Sequence, residues 1–553
     1  MKHILKKTIF VAATLALGSM SLTGCVEETF PLGSTATADQ VENSPDGLVA
    51  LFNGPGAFLN KIQISTTNHY DWGYGSLMHI RDAMTGDMAL GQGGHYYSWW
   101  AGNLATAPNL VATAFPWNFT YKAVQTTNDL ISAIGDPEKA SDEELGMLAV
   151  GRAWRALFYL DAARMYEFLP CDVFPDGKNE KGNVVTGLTI PIITEGMTEA
   201  ECRENPRATR EQMFKFIKSD LDFALANINK LDYSLEAPNV PNIATVLGLY
   251  ARLYMWVAQD LEGNENLDNY QEAAEYAQLA IDAGLNEPMT ETECLHTSTG
   301  FNTPVSSWML ANVQNSTNET VLSGILNWTG WMSNEQTFGY ALGAGITVMI
   351  SSDLYDKITP GDFRALWFIA PEGSELSGTE PVIDPFLAMN YLPEYASLKF
   401  RPGQGNTSDF LIASSVAYPM MRIEEMYFIV AEALAHQDAG EGKEYLESFM
   451  QNYRNPGYTC AATGKEDVIR EIIDQKSIEF FGEGISFFDI KRLDYSVDRT
   501  LSTNYESASQ LFRTEGRPAW MNFCLMYNEE VNNSKVMGWN NPSPAGRYTA
   551  IRQ

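Results

Sequence analysis

The stretch from Glu466 to Asp494, EDVIREIIDQKSIEFFGEGISFFDIKRLD, most restricts what this chain can become. Ile469, Ile472, Ile473 and Phe480 recur at helical spacing and make one apolar face. Ile478, Phe481 and Ile485 then cover the opposite side, so the end of the helix is apolar nearly all round. Such a helix needs neighbours on both flanks. Gly482 and Gly484 end it, since glycine adopts positive φ at least cost. A shorter apolar run follows, Ile485, Phe487, Phe488 and Ile490, interspersed with Asp489 and closed by Lys491 and Arg492. The pattern is one helical hairpin within a larger stack.

More helices of the same kind lie upstream. A first helix is expected over roughly Asp46–Leu59, and another opens at Pro116 and stops at Gly135. Leu145–Phe168 follows Ser141 with Glu144 three residues on, the spacing of a capping box. Thr209–Leu231, Ile243–Ala258 and Tyr270–Ala283 continue the series, the last with small residues Ala273, Ala274, Ala277 and Ala280 along one side. Tyr418–His436 and Lys443–Tyr453 form a further pair. The expectation is an all-α, tetratricopeptide-like superhelix of about four helix pairs, within residues 144–283 and 418–494. Two insertions, 70–109 and 287–415, have few helical patterns but many Gly, Ser, Thr, Asn and aromatic residues. Long irregular insertions of this kind are where function concentrates.

The N-terminus reads as an address label. Lys2, Lys6 and Lys7 precede a short apolar run, Ile9–Leu17, too short to span a bilayer. Leu22-Thr23-Gly24-Cys25 is similar to a bacterial lipobox, which makes Cys25 the expected lipid-attachment residue. Val26-Glu27-Glu28 resembles the acidic patch that sends such lipoproteins to the cell surface. The expected organisation is a signal peptide at 1–24, a lipidated tether at 25–45 and a single domain at 46–553.

Of the 553 residues, 45% are hydrophobic, enough for a sizeable core. The net charge is −32; without the three leader lysines, 34 basic residues face 69 acidic ones, or −35. A field of that sign repels nucleic acid and anionic membrane surfaces. Besides Cys25 there are Cys171, Cys202, Cys294, Cys460 and Cys524; the odd number leaves at least one free, and no CxxC spacing suggests zinc. The six histidines show no HExxH or paired spacing, and no GxSxG, P-loop or GxGxxG motif stands out, so neither metal nor cofactor is expected. Asp260, Glu262, Asn264, Asn266 and Asp268 alternate like calcium-loop ligands, but Gln271 replaces the bidentate Glu, and a solvated turn is the expectation.

Several segments resemble the SusD/RagB family of nutrient-binding outer-membrane lipoproteins of Bacteroidetes. They are Glu479-Phe480, Glu483-Gly484 and Phe488-Asp489-Ile490-Lys491-Arg492. To these are added Gly151–Leu160 with its Arg-Ala-aromatic-Tyr character, Arg207-Ala208-Thr209 leading to Ile217, Asp220 and Leu221, and Arg422, Glu424, Glu425, Tyr427, Ala431, Glu432 and Ala433. The family usually carries Arg where this chain has Ser486, and Glu or Gln followed by Arg where it has Gln475-Lys476. The resemblance implies a non-catalytic binder that hands an oligosaccharide to a SusC-like TonB-dependent transporter. A peptide or other non-sugar nutrient is the alternative ligand, and a glycoside hydrolase on a helical scaffold is the rival class. Indole faces suit the C–H face of a pyranose. The expected platform residues are Trp99 and Trp100 in the first insertion and Trp328 and Trp331 in the second, with Arg81 and Asp71 as polar contacts. Each tryptophan can equally be a buried staple of its loop; Trp154 and Trp256, within helices, are expected in the core.

Overall fold

Sequence-encoded caps open the main helices of the computed structural model, which describes residues 45–91, 96–101, 107–231, 238–505 and 510–551. Ser141 and Glu144 form the expected reciprocal box, as do Thr209 with Gln212 and Asn242 with Thr245. The long elements are α1 (Pro45–Phe58), α2 (Tyr74–Ala83), α3 (Val111–Ile134), α4 (Asp142–Tyr166), α5 (Arg210–Asn227), α6 (Ile243–Trp256), α7 (Leu267–Asp282), α8 (Ile423–Gln437), α9 (Ala439–Tyr453), α10 (Lys465–Glu479) and α11 (Ser486–Arg492). From α3 to α10 each helix packs on the one before it, giving the expected stack. Small residues set the spacing: Ala273, Ala277 and Ala280 of α7 are buried between α6 and α8. Arg155 of α4 grips Asp220 of α5 with two bonds of 2.8 Å, and Trp154 and Trp256 are in the core, as expected.

Two boundaries differ from the reading of the sequence. Helix α3 begins one turn before Pro116, at Val111, though it does stop at Gly135 with φ 72°. More consequentially, the segment expected as helix from Tyr418 begins as a buried strand. Among the described residues there are four short strands: β1 (Met88–Leu90), β2 (Trp308–Val313), β3 (Val348–Ile350) and β4 (Ala417–Arg422). They form two antiparallel ladders, β1 with β3 and β2 with β4. Each joins chain segments more than a hundred residues apart, so local periodicity carries no trace of the pairing. Pro419 and the unbroken apolar run around it are the one local sign against a helix there.

Between the helical stack and the second insertion lies a fully buried ionic network. Arg364, Lys399, Arg422 and Arg454 face Asp362, Glu424, Glu479 and Glu483, four charges of each sign. Glu479, the last residue of α10, accepts from Arg454 at 2.7 and 2.8 Å and from Arg422 at 2.9 Å. Glu483 accepts from Lys399 at 2.7 Å and from Arg422 at 2.9 and 3.0 Å. Burial alone would push Glu479 up, yet Arg454, Arg422 and Arg364 hold it well below the usual carboxylate range. Gln475 supplies its side-chain oxygen to Arg364 at 2.5 Å, and Lys476 pairs with Asp489 at 2.9 Å. The two departures from the family pattern therefore complete local pairs, and Ser486 bonds Ser477 at 3.1 Å.

Helix ends are closed by buried cations. Lys399 donates to the carbonyls of Glu479 and Phe481 at 2.8 and 2.9 Å, capping α10. Lys491 donates to those of Arg164, Met165 and Glu167 at 2.9, 2.9 and 2.7 Å, capping α4. Arg499 reaches the carbonyl of Ala83, the last residue of α2, at 3.0 Å. The final turn of a helix leaves carbonyls without partners and concentrates negative potential, so a cation satisfies both. Gly482 and Gly484 turn at φ 80° and 71°, and a Cβ at Gly484 would lie 2.8 Å from Met78 Cα.

Cys171, Cys202, Cys294, Cys460 and Cys524 are all free thiols. Among the described residues, no helix is long and apolar enough to cross a membrane.

Glu479→Gln leaves three buried cations facing a neutral amide, and breaking a buried pair from one side costs about 3–5 kcal/mol; urea denaturation monitored by circular dichroism should show a loss of that size. A second outcome concerns acid. Desolvation raises Asp161, but Arg81, Arg164 and Arg252 outweigh it and hold the group at about 2. Its folded pKa lies below the unfolded value of 3.8, so its stabilisation is full above that value and is lost as pH falls toward 2. Asp161→Asn should flatten the stability profile across that window, measured by denaturant midpoint against pH.

Candidate ligand-binding site

The two insertions meet in one aromatic cluster. The chain after α1 makes a loop, residues 62–71, that is organised by a single carboxylate. Asp71 is fully buried and accepts the backbone N–H groups of Gln63 at 2.7 Å, Ser65 at 3.0 Å and Ile64. Desolvation, only partly offset by these three bonds, raises its pKa. Asp71 therefore shapes the loop and has no oxygen free for a ligand, which corrects its assignment as a polar contact.

From this loop His69 meets Tyr96 at 4.9 Å between ring centres and Tyr340 at 5.8 Å, and the Tyr340 hydroxyl bonds His69 Nδ1. Burial lowers the pKa of His69, favouring the neutral ring. Tyr96 packs edge-on to Trp99 at 5.5 Å and its hydroxyl donates to the Thr67 carbonyl at 2.9 Å. Trp331 stacks on Tyr340 at 3.6 Å and meets Tyr97 at 4.6 Å. Tyr96, Tyr97 and Trp99 come from the first insertion, Trp331 and Tyr340 from the second.

Exposure decides which of these rings a ligand can reach. Trp99 is 37% exposed, whereas Trp100, Trp328 and Trp331 are each 1% exposed. The platform assignment is thus corrected for those three. Trp100 packs against Tyr70 at 5.0 Å, and Trp328 is sandwiched between Tyr418 of β4, stacked at 4.1 Å, and the edges of Phe400 and Trp72. They are staples that fix the insertions to the β2–β4 ladder and the helices. Arg81 is also corrected: it is buried, pairs with Asp161 at 3.1 Å and lies over Phe488 at 4.8 Å. Cys25 lies outside the described residues.

What remains accessible is Trp99 with the partly exposed Tyr96 and His69; the loop that carries His69 also walls, through residues 62–66, an open groove of about 450 Å³ facing Glu319–Ser323. Ile64 and Leu322 present apolar surface there, and Glu319 accepts the Ile62 N–H at 2.7 Å. Flat apolar faces next to hydrogen-bonding groups suit a ligand with an apolar face and a polar edge. The sequence pattern singles out Trp99 but not Tyr96, His69 or Tyr340. The only signal of His69 and Tyr340 is a position flanking Tyr70 and a place in the second insertion. Among the described residues no group of three or more His, Cys, Asp or Glu could hold a metal ion.

The SusD family model matches residues 394–544. That region holds Lys399, Arg422, Glu424, Arg454, Glu479 and Glu483 of the ionic network and Lys491, which caps α4. The C-terminal part of this chain is thus similar to the SusD family. Solved structures agree in fold. A SusD-like carbohydrate-binding protein from Bacteroides vulgatus superposes with a TM-score of 0.68 at 17% identity, covering 90% of this chain and 98% of its own. A SusD superfamily protein from Bacteroides thetaiotaomicron gives 0.66 at 19% identity, covering 90% and 99%. Another from Bacteroides fragilis gives 0.63 at 17%, covering 90% and 99%. Among curated proteins, none matches the sequence.

The SusD-like segment Phe488–Arg492, the last five residues of α11, can now be read residue by residue. Phe488 is sandwiched by Arg81 and by Arg164 at 3.7 Å. Asp489 receives Lys476 and Arg492, Ile490 is buried, Lys491 caps α4, and Arg492 bonds Glu432 at 2.5 Å. All five residues lie away from the aromatic cluster and serve the scaffold.

Trp328→Ala should cost about 3–5 kcal/mol of stability as a large core truncation, whereas Trp99→Ala should change it by less than about 1 kcal/mol; thermal melts of the two variants distinguish a staple from a surface ring.

Proposed function

We propose that this chain is a non-catalytic, lipid-anchored outer-membrane protein of the SusD/RagB family that binds an oligosaccharide and delivers it to a SusC-like TonB-dependent transporter. The observation that carries the reading is the convergence of the two insertions on a partly exposed aromatic face, Trp99 with Tyr96 and His69, the last on the loop whose residues 62–66 wall an open groove. A pyranose ring stacks on such a face while groove carboxylates and backbone groups bond its hydroxyls. Structural relatives described as carbohydrate-binding support the ligand class. The lipobox ending at Cys25 and the acidic Val26-Glu27-Glu28 support a surface-anchored lipoprotein, and the family resemblance supports the transporter as partner.

The binder reading also fits the carboxylates. Those of the buried network are held in ion pairs with buried cations, and Glu319 in the groove is bound to the Ile62 amide and faces Lys61 at 3.9 Å.

Affinity electrophoresis of the purified protein across a glycan panel should show retardation by at least one polysaccharide, with no new reducing ends in solution. Trp99→Ala should weaken that binding about tenfold, the equivalent of one lost aromatic contact, with the melting temperature nearly unchanged. Retention by no glycan, or release of reducing ends, would reject this reading.

A further inference from the structure

A second cavity, on the helical side, matches a different ligand. It measures about 390 Å³ and lies between α4–α6 on one side and the α10–α11 hairpin on the other. That volume falls in the range of small-molecule sites. Its lining inverts the charge balance of the chain. Seven cationic and six acidic side chains line it, in a protein with 37 basic and 69 acidic residues.

The acids are already committed to partners. Glu167 accepts from Arg210 at 2.5 and 3.1 Å and from the Trp256 indole at 2.8 Å. Glu425 accepts from Arg252 at 2.8 and 2.6 Å, and Asp489 from Lys476 and Arg492. A donor is left over. Arg492 Nη1 is buried with no hydrogen-bond partner among the described residues. Lys491, by contrast, gives its three donors to the backbone carbonyls of Arg164, Met165 and Glu167. Desolvation, only partly opposed by Glu167, depresses its pKa well below the lysine range. Trp256, Ile429, Ile485 and Phe488 supply an apolar wall, and the exposed Asp260 and Glu262 stand at the rim.

We infer that this cavity is a binding site for a small organic anion, of the size of an acidic mono- or disaccharide, whose charged group is held by Arg492 and Arg517 and whose carbon skeleton lies on the apolar wall. An unpaired buried guanidinium nitrogen is costly, and a ligand oxygen supplies the missing acceptor. The site is separate from Trp99 and does not depend on the aromatic groove being a glycan site.

Isothermal titration calorimetry of the full mature protein tests it, with galacturonate, digalacturonate and citrate as organic anions, galactose as the neutral control and sodium sulfate as the bare anion. The expected result is one-to-one binding of at least one organic anion, weakened by added salt, and none of galactose. Arg517→Gln, whose partner Asp494 is largely exposed, should lower that affinity about tenfold, the equivalent of one charged hydrogen bond. Leu261→Trp, which fills the rim, should abolish it, while Trp99→Ala leaves it unchanged. Silence with all three organic anions, binding of sulfate alone, or equal affinity in both cavity variants would overturn the inference. Loss in Trp99→Ala would overturn it too, by placing the anion in the groove.

Discussion

Everything in this structure hangs on a buried, balanced cluster of eight charges centred on Glu479 and Glu483. The cluster ties a helix end, a strand, a loop and a turn, from α10, β4, the second insertion and the α10–α11 connection, in one dry place. An ion in that environment is tolerable only with all its partners present, so the cluster is satisfied in a single arrangement. It makes no strong claim on net stability. Its effect is to select one docking of the insertion on the stack, because any other docking strands a charge.

The same economy appears at helix ends. Lys399, Lys491 and Arg499 are drawn into the interior by carbonyls that no backbone donor reaches. A chain with few cations places several of them there, and this concentrates positive potential inside an otherwise acidic molecule. The cavity beside α11 follows from that placement. Lys491, which closes α4, is part of its lining, and the unfilled Arg492 donor is where a ligand can enter the arrangement.

Reading from sequence went far with the helices and stopped at the loops. Ser141 with Glu144 and the apolar faces of α10 are local signals: capping and 3.6-residue periodicity act within one or two turns. The hairpin at Gly482 and Gly484 was legible for the same reason. The strand at Ala417–Arg422 was not, because its partner lies more than a hundred residues upstream and a short apolar run looks alike in a strand and a helix. The tryptophans show the limit most plainly. Trp99 and Trp100 are adjacent, yet one faces solvent and the other is sealed against Tyr70. No property of the pair distinguishes them without the neighbours. Arg81 and Asp71 looked like ligand contacts because buried and binding-site polar residues share the same chemistry.

By itself, then, the sequence determined the helical class, the order of the stack, the hairpin at its end and the charge of the whole, since those rest on interactions between residues close in the chain or on composition alone. Only the tertiary structure decided which rings are reachable, which charges are neutralised and where the free space lies. Burial is a property of what packs from elsewhere, and the packing partners here come from insertions separated by hundreds of residues.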